Sequence, residues 1–253
     1  MWAGCGLLAA TLVAQCASGV RARPVGLTGA IVLLVAATAV AFAAGRYGPG
    51  RAAGALGGAF AVGYAAEWTG VRTGVPFGEY RYTGVLQPQV GDVPVAVALA
   101  WAGMGLAAYA VATAITGPVA GNGAARALRL LVGAAALTAW DLFLDPQMLR
   151  LGLWEWARPG PYRGVPLTNF AGWLAVSLLL MAVVDRVLAG RGRPPAGLVA
   201  VYTAMAVMET VAFALVFRPT DPLVAAAGGV AMGVPAALAW TRLVGNAPVG
   251  RRR

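Results

Sequence analysis

The chain contains no histidine, only two cysteines and only nine acidic residues in 253, and all nineteen of its basic residues are arginine. Without histidine, and with both cysteines set among apolar neighbours, the usual zinc and haem ligand sets are missing, so neither a metal nor a cofactor is expected. Any proton this protein moves is expected to ride on carboxylic acids. Cys5 and Cys16 fall in one predicted helix, ~16 Å of rise apart and beyond disulfide reach of each other. The arginines lie between or at the ends of apolar runs rather than in one patch, which fits anionic headgroups and topology signals and argues against nucleic-acid binding.

What is abundant is hydrophobic sequence. Sixty per cent of residues are hydrophobic, mean hydropathy is +0.74 and apolar runs recur from end to end. A multi-pass protein of the cell membrane, in contact with the lipid bilayer, is expected. No basic region precedes the first apolar run, so that run reads as a retained span rather than a cleaved signal peptide. Breaks at Arg/Pro/Gly clusters predict an all-α transmembrane bundle of eight helices: Trp2–Gly19, Val25–Ala44, Ala52–Trp68, Val93–Thr116, Arg126–Asp145, Thr168–Leu188, Ala196–Phe217 and Pro222–Val244. The third is the shortest, and without it seven spans remain. One domain, 1–253, is expected.

Two longer loops, Thr69–Asp92 and Pro146–Leu167, are aromatic and glycine-rich and fall on one membrane face. The opposite face holds Arg46, Arg51, Arg126, Arg129, Arg186, Arg191, Arg193 and Arg251–Arg253 with Asp185 as its only acid, which the positive-inside rule makes cytoplasmic. Residues 52–116 and 126–188 echo one another: Glu67-Trp68 and Trp140-Asp141 each precede an aromatic loop, a Val-Pro pair (Val93-Pro94, Val165-Pro166) and a tryptophan seven residues on, Trp101 and Trp173. Such an echo suggests a parallel repeat with a site at its interface.

Asp141 and Asp145 are four residues apart, so they share a helix face. A charge at membrane depth costs ~2.5–3.5 kcal/mol even on a lenient scale, which makes the pair a functional-site hypothesis by default. Two carboxylates so close disfavour joint ionisation, and one that stays protonated can act as a proton donor. The bland alternative makes Asp145-Pro146 a helix-end turn and pairs Asp141 with Arg72, Arg81 or Arg150. Glu67 and Glu209 are the other acids expected at this depth, and all four carboxylates, with Asn169 and Trp101, fall within ~12–14 Å of one membrane face. Trp68, Phe77, Tyr80, Tyr82 and Trp101 in the first unit, and Trp140, Trp154, Trp156, Tyr162 and Trp173 in the second, are candidates for binding an apolar substrate. Aromatic faces beside protonated acids suit a carbocation, hence a hydrophobic polyene; an interfacial aromatic belt is the competing explanation.

Gly74-Val-Pro-Phe-Gly-Glu-Tyr-Arg-Tyr82, Val93-Pro94, Trp101, Trp140-Asp-Leu-Phe-Leu-Asp-Pro-Gln-Met148, Trp154-Glu-Trp156 and Tyr162-Arg-Gly-Val-Pro-Leu-Thr-Asn-Phe-Ala-Gly-Trp173 resemble the integral-membrane carotenoid biosynthesis family that includes bisanhydrobacterioruberin and γ-carotene hydratases. The resemblance spans Glu67 to Trp173. It implies cofactor-independent addition of water to the terminal double bond of an acyclic ψ end group, and association with other carotenoid-pathway enzymes. Our assignment of roles within that chemistry is Asp141 as acid, Asp145 holding its proton, and Glu67 or Glu209 positioning water. Alternatives are a cyclase or isomerase using the same protonation, a magnesium-dependent prenyltransferase of the lycopene elongase type, and a non-enzymatic carotenoid carrier.

Overall fold

The computed structural model describes residues 2–19, 25–117, 123–188 and 192–245. Arg191 and Arg251–Arg253, counted above for orientation, lie outside them. The helices are α1 (Trp2–Gly19), α2 (Val25–Tyr47), α3 (Pro49–Thr73), α4 (Val95–Thr116), α5 (Gly123–Arg150), α6 (Leu167–Leu188), α7 (Ala196–Val211) and α8 (Pro222–Gly245), with a π-helical turn, Ala212–Val216, closing α7. Seven are long and apolar enough to cross a membrane; α3 is the exception. The protein is therefore an all-α, polytopic membrane bundle.

α4 lies at the centre, wrapped by α2, α3, α5, α7 and α8 and buried along almost its whole length. Its run of alanine and glycine lets neighbouring backbones approach, as interhelical packing in lipid favours. At the end of the bundle away from the aromatic loops, Asp185 is buried against Arg129 and Arg126 and accepts a hydrogen bond from Tyr109. Arg126 and Arg129 thus neutralise an internal acid as well as contributing to the charge bias of that face.

Three helices depart most from the sequence expectation, while α2 runs on to Tyr47 and α4 begins at Val95, after Val93–Pro94. α3 spans 25 residues, from Pro49 in its first turn to a left-handed C-cap at Gly74 (φ 74°), and is not the shortest helix; glycines together with Glu67 and Arg72 dilute its hydropathy without interrupting its backbone. α5 does not stop at Asp145 but runs through Pro146 to Arg150. Proline has no N–H for the Leu142 carbonyl one turn earlier, and the Tyr162 hydroxyl donates to that carbonyl instead, at 2.9 Å. α7 changes to π geometry after Val211, with the Phe217 N–H reaching back five residues to the Ala212 carbonyl.

The two aromatic loops are joined by a strand pair. β1 (Tyr80–Tyr82) and β4 (Trp154–Trp156) run antiparallel with Tyr80 opposite Trp156 and Tyr82 opposite Trp154; β2 (Gln89–Val90) and β3 (Val93–Pro94) form a second short pair. Strand alternation sends Tyr80, Tyr82, Trp154 and Trp156 inward, while the middle pair, Arg81 and Glu155, forms an exposed ion pair. A four-ring lid over the bundle results.

Candidate functional site

Beneath that lid is a largely apolar cavity of about 400 Å³. Two polar clusters face each other across its aromatic lining. The first is built on α3. Gly63, Glu67 and Gly70 share a helix face, and the missing side chains make room: a Cβ at Gly63 would stand 2.6 Å from the Trp101 Cβ, and one at Gly70 2.8 Å from the Phe77 ring. Trp101 can therefore seat against α3 and donate its indole N–H to Glu67 Oε1 at 2.8 Å, while the Tyr82 hydroxyl donates to Oε2 at 2.7 Å and the Tyr80 hydroxyl donates to the same oxygen. Burial, reinforced by the Glu67 charge, raises both tyrosines above their ordinary value, so they remain donors.

The second cluster is built on α5 and α6. The Asn169 side-chain amide donates to Asp141 Oδ2 at 2.7 Å and to Asp145 Oδ2 at 2.5 Å, one hydrogen to each carboxylate. The Trp154 indole donates to Asp145 Oδ1 at 3.1 Å, whereas Asp141 Oδ1 is buried without a partner among the described residues. No arginine among the described residues reaches either aspartate: Arg72 pairs with Asp92, Arg81 with Glu155, and Arg150 with Asp221. The structure therefore does not support the arginine-paired alternative for Asp141.

Between the clusters, Trp101 and Trp173 stack with centroids 3.9 Å apart and Trp140 meets Trp173 edge-on at 6.2 Å; Tyr80 and Trp156 lie 5.1 Å apart across the strand pair. Glu67, Phe77, Tyr80, Tyr82, Trp101, Trp140, Asp145, Trp154, Trp156, Asn169, Trp173 and Glu209 all border the cavity. Three of the residues expected at the site do not. Asp141 is wholly buried behind Asp145 and Asn169, because the rotation of α5 turns Trp140, Leu144 and Asp145 to the cavity instead. Trp68 is 44% exposed on the outer surface beneath the Arg72 guanidinium, 4.2 Å from its ring centroid. Tyr162 braces the backbone at Pro146 and packs on Phe170. Gln15 of α1, Gln147, Met205 and Met208 also border the cavity, and no motif in the sequence marks them.

A carboxylate pair and an aromatic cage inside a multi-pass helical bundle define a membrane protein equipped to handle an apolar molecule. The chain belongs to the carotenoid biosynthesis protein family, whose model matches residues 28–237. Over 123 residues, 48% of this chain, it is 37% identical to bisanhydrobacterioruberin hydratase of Haloarcula japonica, and the match takes in 41% of that protein. No solved structure is significantly similar.

Proposed function

We propose that the protein is a carotenoid hydratase of the cell membrane, which adds water to the terminal double bond of an acyclic polyene. The observation that carries this reading is the Asp141–Asn169–Asp145 bridge at the wall of an aromatic cavity that no arginine among the described residues lines. Two aspartates bonded to one amide nitrogen lie roughly 5 Å apart at most, where like charges repel by about 3 kcal/mol at an effective dielectric constant near 20. With no cation beside them among the described residues, the pair holds a single proton. The unpartnered Asp141 Oδ1 is a place to carry it, and Asp145, which borders the cavity, is the residue that delivers it. This reverses the division of labour expected from the sequence.

The proton adds to the less substituted alkene carbon, the π electrons forming the C–H bond and leaving a tertiary cation next to it. The faces of Trp101, Trp173 and Trp140 stabilise that cation without attacking it, and Glu67, fixed by three donors, supplies compensating negative charge. A water oxygen then forms the C–O bond, and its surplus proton returns to the aspartate pair. Electrons and atoms balance with no redox partner. The identity with bisanhydrobacterioruberin hydratase over part of the chain supports the substrate class, and association with other enzymes of carotenoid synthesis is part of the same proposal.

Expression in a host that accumulates an acyclic polyene, with the pigments read by mass, tests the proposal. A gain of one water per hydrated end is expected. Unchanged mass with a changed spectrum would indicate cyclisation or isomerisation, and a gain of a prenyl unit would indicate transfer; either outcome rejects hydration.

A further inference from the structure

The cavity does not end at the acid clusters. It extends towards α1 and α7, where Gln15, Met205, Met208 and Glu209 border it with the π turn. On α7, Met205 and Glu209 are one turn apart on the same face. The Gln15 amide donates to Met205 Sδ at 3.1 Å, which fixes that side chain beside the same face. Its carbonyl oxygen is left buried with no donor among the described residues, and so is Glu209 Oε2, on a residue only 8% exposed. A buried acceptor without a donor costs about 1–3 kcal/mol, and here the two residues that carry such oxygens line one apolar space from neighbouring helices. α7 leaves α-helical geometry three residues after Glu209, and such π segments frequently accompany functional sites.

We infer that Gln15 and Glu209 form a second polar subsite of the cavity, separate from the Asp141–Asp145 and Glu67 clusters, that accepts hydrogen bonds from an O–H group. That group is either the tertiary alcohol of a hydroxylated polyene or a free water molecule. The ligand class rests on the hydratase reading; the subsite itself rests on the two unmatched acceptors.

The test uses the full chain in lipid nanodiscs and two acyclic polyenes of equal length, one a hydrocarbon and one with a terminal tertiary hydroxyl, with binding followed by quenching of tryptophan fluorescence. If the alcohol is the ligand, the wild type prefers the hydroxylated polyene by about five- to tenfold, the worth of one buried hydrogen bond. Gln15→Leu and Glu209→Leu bring that ratio towards one, and Glu209→Gln, which keeps a carbonyl acceptor, retains most of it. If water is the ligand, the wild type binds both polyenes equally, and the two leucine variants lower product yield at saturating polyene more than Glu209→Gln does. Leucine variants that change neither the binding ratio nor the yield overturn the subsite. Since binding is measured without turnover, a wild type that hydrates nothing yet keeps the alcohol preference rejects the hydratase reading and leaves the subsite standing.

Discussion

Replacing Tyr162 by phenylalanine isolates a single hydrogen bond that lets α5 pass through Pro146. The hydroxyl donates to the Leu142 carbonyl at 2.9 Å, in place of the N–H that proline lacks. Phenylalanine keeps the ring and its edge contact with Phe170, 5.5 Å between centroids, and removes only the donor. Burial, together with the charge of Asp221, pushes the phenol up to about 12, so it stays a donor at any working pH. Stranding a partly buried carbonyl costs about 1–3 kcal/mol. With alanine at 146, the residue's own N–H can reach Leu142, and Tyr162→Phe then costs less than about 0.5 kcal/mol. Thermal unfolding in detergent of the wild type, Tyr162→Phe, Pro146→Ala and the double variant closes the cycle, with an expected coupling of about 1–2 kcal/mol. Equal costs in the two backgrounds would refute the reasoning and leave packing alone to hold the helix through Pro146.

Three further outcomes follow from other contacts. Gly63→Ala puts a methyl group 2.6 Å from the Trp101 Cβ; overpacking of this kind costs about 1–3 kcal/mol, and water addition is expected to fall as the indole is pushed off Glu67, so unaltered stability and product yield would remove Gly63 from the account. Burial disfavours the charged form of Asp221, but hydrogen bonds from Arg163 and the Val224 N–H and the charges of Arg163 and Arg150 outweigh it and hold the carboxyl below its ordinary value. A depressed folded value gives stabilisation that is complete above the unfolded value near 3.9 and lost as pH falls through the folded one, so the wild type should lose melting temperature below about pH 4 more steeply than Asp221→Asn; parallel acid profiles would contradict this. Trp68→Leu, on the outer surface, should leave product yield within about twofold of wild type, and a tenfold loss would return Trp68 to the substrate path.

How far the sequence could be read depended on whether a feature was local. The bounds of α1 coincide with expectation because apolar length alone sets them. Glu67, Asp145, Asn169 and most of the aromatic residues could be picked out because polar groups at membrane depth and clustered rings are conspicuous in a chain this apolar. The continuation of α5 through Pro146 was hidden because its replacement donor is sixteen residues further on, at Tyr162. Two three-residue strands, Tyr-Arg-Tyr and Trp-Glu-Trp, alternate in the expected way, but their pairing spans more than seventy residues of sequence and no local pattern announces it. Which aspartate meets the cavity depends on the rotation of α5, which spacing does not fix. Gln15 is one of few polar residues on a largely exposed helix, and only the cavity beside it gives it meaning.

Proton transfer from the aspartate pair to carbon is the central claim, and deuterium labelling tests it most directly. Purified protein and an acyclic polyene in deuterated water should give a tertiary alcohol carrying one carbon-bound deuterium next to the carbinol carbon for each end hydrated, read by mass and by NMR. Asp145→Asn, which cannot deliver the proton, should cut that product by at least about a hundredfold. A hydrated product without carbon-bound deuterium, or an Asp145→Asn variant that hydrates at the wild-type rate, would contradict the account.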